Sequence, residues 1–340
     1  MNKKLLILIF VVSITLGGCG LFDRETPIKS VSLATDWTWQ GVYAAYPVAK
    51  AEGYYEEEGI DITIDRGYGS GDTITKVAAG VYDFGVADFG VLIQFNSENP
   101  TEALTAVAIM WDYSPLTILT LTNRGIETPQ DLVGRELAAP AGSASRIMFP
   151  AFAQAVGIDP DSVSWNSVSP ELRETMLVEG DVDATAPFLD AIITLQGLGI
   201  DPDEIKAFHY PEYGLEIYGL ALITRPEIIN EQPDVVSGVV RATIRGWIHT
   251  IADPDNAIEV LKQVDPLIDE QVERARLDLV LERLIITPWV IEHGFGAADP
   301  VRIEAHIDAA YEAMNLEIRP DPATLFTSEF LPPLDDRRIP

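Results

Sequence analysis

Short apolar runs alternate along the chain with longer segments whose apolar residues recur every three or four positions. Residues 31–34, 60–64, 84–87 and 103–110 read as strands. Segments 42–51, 73–79 and about 90–96 read as helices between them, with Gly53 and Gly80 as stop signals. The rhythm then restarts. Runs 116–122, 136–139, 163–168, 183–186 and 205–210 read as strands. Segments 129–133, 143–156, 171–179 and 189–196 read as helices, with Gly157 and Gly180 closing two of them. One more apolar strand spans 216–224. This order predicts an α/β fold built from parallel sheets with helices on both faces.

Beyond residue 226 the pattern is almost wholly helical, over 235–251, 256–264, 270–286 and 300–314, punctuated by Pro233, Pro254 and Pro266. Two α/β units predict two lobes. The runs 116–122 and 216–224 read as hinge strands, where the chain leaves the first lobe and returns to it. The expected domain plan is lobe 1 from 30–115 and 225–340, and lobe 2 from 116–224, with the helical C-terminal third wrapping lobe 1.

The N-terminus reads differently. Lys3 and Lys4 precede an apolar stretch over 5–15, followed by Leu16-Gly17-Gly18-Cys19. The stretch is shorter than the roughly 20 residues of a spanning helix and has the layout of a secretory signal. Small residues before the chain's single cysteine resemble a bacterial lipoprotein signal. Residues 1–18 are therefore expected to be removed, Cys19 to carry lipid (palmitate among it), and 19–29 to form a tether. The expected location is the cell envelope, outside the cytoplasm: a membrane-anchored lipoprotein of the periplasm or of the outer face of the cytoplasmic membrane.

Composition narrows the function. The chain has 340 residues, 47% of them hydrophobic and 22% charged, which suits two globular domains. Its formal net charge of −30 repels phosphate backbones and anionic lipid, so nucleic acid is excluded as a partner and lipid, not charge, must hold it to a membrane. The acidity, with Arg favoured over Lys, suits a saline habitat. One cysteine allows no internal disulfide and no thiol-based metal site.

In open α/β sheets, ligands lie beyond the carboxyl ends of the strands, near helix starts. The first strand is followed by Asp36, Trp37, Trp39 and Gln40. The second is followed by a glycine-rich loop entering a helix, with Ser70, Gly71, Asp72 and Thr73; Asp72 reads as its N-cap. The third leads to Asp88 and Phe89, and the fourth to Trp111, Asp112 and Tyr113. The second unit offers Ser143, Ser145 and Arg146, then Phe188 and Asp190, then Glu216 and Tyr218. Three of these are tryptophans, which grip flat ligands, although buried packing explains any one of them equally well. The carboxylates Asp36, Asp88, Asp112, Asp190 and Glu216 favour a ligand with N–H donors or positive charge. Arg146 is the group suited to an anion. Catalytic patterns are missing: no Gly-x-Ser-x-Gly, no His-Glu-x-x-His, and four scattered histidines, of which His209 reads as a satisfied strand-end residue. The expectation is a binding protein without catalytic residues, metal or cofactor.

The run Val48-Ala49-Lys50-Ala51-Glu52-Gly53-Tyr54-Tyr55-Glu56-Glu57-Glu58-Gly59-Ile60 resembles the opening of one group of ABC-importer binding proteins. These are the receptors for nitrate, sulfonates, taurine and thiamine-pyrimidine precursors. Gly80-Val81-Tyr82-Asp83-Phe84-Gly85 matches a second family segment. Gly125-Ile126, Asp131-Leu132 and Gly134 match a third, and Gly180-Asp181-Val182-Asp183-Ala184 a fourth. The matches keep order and spacing from 31 to 184. The resemblance implies a two-lobed periplasmic-binding-protein type II fold that closes on its ligand. It also implies a monomer that delivers a small solute to a permease with a cytoplasmic ATPase. Asp36-Trp37 matches the pyrimidine-precursor binders, but no histidine follows. The family also holds a pyrimidine-synthesising enzyme with a cysteine-rich motif, which this chain lacks. The expected ligand is a small nitrogen-containing, pyrimidine-like solute. A sulfonate-, taurine- or nitrate-type ligand, an enzyme acting on a pyrimidine, and a sensor feeding a membrane kinase are the alternatives.

Overall fold

The computed structural model describes residues 28–340. The signal segment, Cys19 and most of the tether lie outside them. Among the described residues, ten strands form two sheets. They are β1 (Lys29–Ala34), β2 (Ile60–Asp65), β3 (Phe84–Asp88), β4 (Thr105–Ile109) and β5 (Thr117–Leu121), then β6 (Glu136–Ala138), β7 (Ser164–Asn166), β8 (Ala184–Thr185), β9 (Ile205–His209) and β10 (Leu220–Thr224).

The first sheet has the order β2-β1-β3-β10-β4 and the second β7-β6-β8-β5-β9. Each is parallel through its first three strands and carries one antiparallel strand in fourth place, β10 in the first and β5 in the second. The chain supplies each antiparallel strand immediately after it has crossed from the other sheet. The crossings are therefore residues 110–116 and 210–219, irregular segments beside the strands rather than the strands themselves. The strand expected over 216–224 begins only at Leu220, because residues 214–219 pair with the first crossing instead: Gly219 N–H donates to Trp111 O at 3.0 Å and Ser114 N–H to Ile217 O at 3.0 Å.

Helix boundaries follow local chemistry. The helix expected over 143–156 is two, Ala144–Ile147 and Phe149–Val156. Pro150 stands at the start of the second, where its missing N–H is harmless; in a continuous helix its ring would meet the carbonyl four residues earlier. The last expected turns of 270–286 widen into a π-turn over Leu281–Ile285.

One core lies under the first sheet. It joins Leu33, Val86 and Leu222 of the strands to Tyr46, Val240 and Trp247 of the helices that cover them. Helix Pro233–Ala252 crosses helix Ala45–Ala51 at Gly246, where a Cβ would stand 2.4 Å from the Ala45 carbonyl oxygen; only glycine permits that approach. A second core runs between the sheets, from Phe89 and Ile109 to Ile118, Phe152 and Tyr210. Ile303 and Ile307 of helix Pro300–Ala313 join it. That helix touches both Phe89–Glu98 and Phe149–Val156. The C-terminal helices thus do not wrap the first sheet alone, because this one bridges the two. Among the described residues, no helix is long and apolar enough to cross a membrane.

Candidate ligand-binding site

β1 runs buried to Ala34 and delivers Asp36 to the carboxyl edge of the sheet, itself almost fully buried. Asp36 Oδ1 accepts from the Tyr43 hydroxyl at 2.7 Å, and Oδ2 accepts from the Ser70 hydroxyl at 2.6 Å. Ser70 begins the helix Ser70–Ala78, and its oxygen in turn accepts from the Asp88 N–H at 3.0 Å. One hydroxyl therefore joins the ends of β1 and β3. Burial pushes the Asp36 carboxyl up to about 6, against the lowering effect of its two hydroxyl donors.

Asp88 caps the helix Phe89–Glu98: its Oδ1 accepts from the Gly90 and Val91 N–H groups at 2.9 and 3.1 Å. Its Oδ2 is buried with no hydrogen-bond partner among the described residues. Burial pushes this carboxyl up to about 8, and the Asp36 charge adds to the effect.

The facing wall comes from the second sheet. Ser143, Ala144 and Ser145 lie at the helix start after β6, and Ala186, Pro187 and Phe188 follow β8. Ser145 donates to the Pro187 carbonyl at 2.5 Å, and Tyr210 donates to the Ser145 carbonyl at 2.8 Å, which fixes the two loops to each other. Phe188 lies 5.9 Å from the Trp111 ring, and Trp111 stacks 6.4 Å from Tyr43. Asp190 and Ala191 complete this side.

Two arginines close the neck. Arg276, on the helix Glu270–Val280, donates to Asp190 Oδ2 at 3.2 Å and to Thr194 Oγ1 at 2.8 Å. Its Nε lies 3.3 Å from Glu273 Oε1, an ion-pair distance without hydrogen-bond geometry. Glu273 Oε2 accepts from the Gly41 N–H at 2.7 Å; burial raises this carboxyl, against the opposing pull of Arg276. Arg173 donates through Nε to Glu174 at 2.6 Å and lies 5.0 Å over the Trp37 ring, a cation–π contact. Together with Asp36, Trp37, Gln40, Gly69 and Ser70, these walls line one narrow cleft, with about 370 Å³ of empty space that includes its opening to solvent.

The walls also meet through main chain. Gly71 N–H donates to the Gly142 carbonyl at 3.1 Å. Gly69 has φ +125°, and a Cβ there would fall 2.5 Å from the Gly142 oxygen. The conformation and the approach both require glycine.

The structure brings Asp36, Trp37, Gln40, Ser70, Ser143, Ser145, Phe188 and Asp190 to the cavity. Trp111 stands one layer behind Phe188. Gly71 serves the main-chain contact just described. Asp72 is not the N-cap, a position held by Gly69; it lies in the first helical turn, ion-paired with Lys76 at 2.7 Å. Thr73 donates to the Thr35 carbonyl, and Trp39 packs on the first core. Asp88 supports the floor from behind Ser70, and Phe89 packs edge-on to Tyr218 in the second core. Arg146 points away from the cavity, donating to Ser167 at 2.7 Å and lying 5.1 Å over Trp165. Asp112, Tyr113, Glu216 and Tyr218 gather around Arg302 at the crossings, outside the cavity. His209 is held by the Ser114 carbonyl at 2.7 Å.

Sequence reading missed Tyr43, Gly69, Arg173 and Arg276. For Arg276 a signal existed: its neighbours at four-residue spacing are Val272 and Val280, so a charge sits on an apolar stripe. Among the described residues no cluster of side chains suits a metal ion.

A family model described as NMT1/THI5 like matches residues 40–257. The chain belongs to the NMT1/THI5-like family. A formylaminopyrimidine-binding protein of Halalkalibacterium halodurans is 26% identical over 269 residues, covering 76% of this chain and 79% of that protein. A 4-amino-5-hydroxymethyl-2-methylpyrimidine phosphate synthase of Legionella pneumophila is 26% identical over 238 residues, covering 69% and 74%. In structure, the alkanesulfonate-binding protein SsuA of Xanthomonas axonopodis pv. citri, bound to MOPS, superposes with a TM-score of 0.70 at 17% identity, covering 89% of this chain and 99% of that one. The fold is that of the periplasmic binding proteins.

Proposed function

We propose that this chain is the extracytoplasmic solute-binding receptor of an ABC importer, tethered to the membrane by lipid on Cys19. It takes a small, flat, nitrogen-bearing ring of the pyrimidine class into the cleft and presents the closed form to a permease with a cytoplasmic ATPase. The observation that carries this reading is Asp36, a buried carboxylate lining the cavity together with Trp37, held by two hydroxyl donors and, among the described residues, by no cation. A carboxylate in that place accepts ring N–H or exocyclic amine groups, and the indole face stacks on the ring. The family membership and the pyrimidine-binding relative support the same class.

The test is a thermal-shift screen of the soluble body, residues 20–340, against pyrimidines, other heterocycles, amines, sulfonates, taurine and nitrate. A ligand at 100 times its dissociation constant adds about 2.7 kcal/mol of stability. Stabilisation by aminopyrimidines, lost in Asp36→Asn and Trp37→Ala, is the expected result. Stabilisation by sulfonates or nitrate alone overturns the ring-binding reading.

The synthase relative favours one rival, an enzyme acting on a pyrimidine on the same scaffold. Cys19 is the single cysteine of the chain, so no cysteine-rich motif lines the cleft. Mass analysis of the ligand before and after incubation separates the two readings: a receptor returns it unchanged.

A further inference from the structure

A second hollow opens directly outside the first. It is lined by Pro170, Glu171, Thr175 and Leu198 and encloses about 640 Å³ of space open to solvent. Trp37, Gln40, Arg173 and Arg276 line both hollows, so the two share one neck. The two arginines at that neck differ. Arg276 is spent on Asp190, Thr194 and Glu273. Arg173 commits Nε to Glu174, and among the described residues neither Nη atom donates a hydrogen bond. Its side chain is only 7% exposed, and its Nη atoms are not among the fully occluded polar groups. What these two donors reach is therefore the space at the neck.

We infer that the cleft is a two-part site in which Arg173 receives an oxyanion carried on a short arm of the ring ligand, with the arm lying in the outer hollow. This rests on the reading of the inner cavity as a ring site. A guanidinium edge with two free N–H donors matches phosphate, carboxylate or sulfonate in a paired geometry. The two ends of the site are then complementary to the two ends of one molecule: the carboxylate Asp36 meets the donor-rich ring, and Arg173 meets the anion. A simple anion with no ring leaves the inner cavity unfilled, and a bare ring leaves the Arg173 Nη donors without an acceptor.

The experiment is titration calorimetry of the soluble body with three probes: 4-amino-5-hydroxymethyl-2-methylpyrimidine, its phosphate monoester, and inorganic phosphate. The expected result is that the ester binds at least ~10-fold more tightly than the alcohol and that inorganic phosphate does not bind. In Arg173→Met the ester-to-alcohol ratio falls to near one, and in Arg173→Lys it is intermediate, since charge remains and the fork is lost. Leu198→Trp is the second variant. It fills the outer hollow from an exposed position that tolerates a large ring, and lowers the same ratio. A ratio near one in the unaltered protein, or an undiminished ratio in Arg173→Met, overturns the two-part site while leaving the ring site standing. Failure of both pyrimidines to bind overturns both readings.

Discussion

Arg302 donates from Nη1 to Asp112 Oδ1 at 2.8 Å, across 190 positions of sequence. It also donates to the Asp112 and Ile217 carbonyls and lies between the rings of Tyr113 and Tyr218, at 4.9 and 4.1 Å. One guanidinium thus holds both crossings to the helix Pro300–Ala313. Asp112 is buried, whereas Arg302 keeps a partly exposed side chain. Arg302→Met leaves a buried carboxylate with one hydroxyl, Thr287, for company. The expected loss is about 3–5 kcal/mol. Asp112→Asn keeps an acceptor for Arg302 and loses less. Urea unfolding of both variants checks the order.

Asp88 predicts a pH dependence of stability. Its carboxyl is raised to about 8 in the folded protein from an ordinary value of 3.8. The folded state therefore holds this proton more tightly than the unfolded chain does. The stabilisation is complete below pH 3.8 and is lost as pH rises toward 8. Asparagine caps the helix equally well at any pH. Asp88→Asn should gain on the unaltered protein as pH goes from 5 to 8, read as a widening gap between their urea midpoints. A gap that stays constant with pH contradicts the assignment.

Asp36 gives a separate prediction for binding. With its carboxyl near 6, it is ionised at pH 7.5 and mostly protonated at pH 5. A ligand that donates N–H groups to it binds more weakly as pH falls through 6, and Asp36→Asn removes that dependence along with much of the affinity. Calorimetry with an aminopyrimidine between pH 5 and 8 measures both.

Gly69→Ala combines a disfavoured backbone conformation with a 2.5 Å clash against the Gly142 oxygen. The strain costs about 1–3 kcal/mol. The substituted chain is expected to hold its walls farther apart, seen as a larger radius of gyration in solution scattering, with ligand affinity at least ~10-fold weaker. Unchanged scattering with unchanged affinity counts against the close approach at this position.

Much of this architecture is legible in the order of apolar runs, because a sheet and its covering helices impose different periods on the chain. The two-lobed plan and the strand-end position of Asp36, Ser70 and Ser143 follow from it. What it misses depends on distance in sequence. Arg276 reaches the cavity from a helix whose covering role is readable but whose rotation about its axis is not. Arg173 is placed by a pairing with Trp37, 136 positions away. Arg146 illustrates the converse: it follows a correctly read helix start, yet one residue of rotation after Ser145 turns its side chain to Trp165 and the surface. Asp112 follows a strand end like Asp36 but belongs to a crossing, where Arg302 pairs with its carboxylate, whereas Glu216 precedes β10 and meets Arg302 only through its main-chain carbonyl.

The contact between Gly71 and Gly142 is made by an amide and a carbonyl, groups that nearly every amino acid carries. With glycine kept at 69, the seam between the two halves does not draw on the side chains at Trp37, Phe188 or Arg173. Exchanges at Trp37, Phe188 or Arg173 can therefore reshape the cavity while the two walls keep this contact. A scaffold with that division of labour can change the lining of its cavity without relearning how its walls meet.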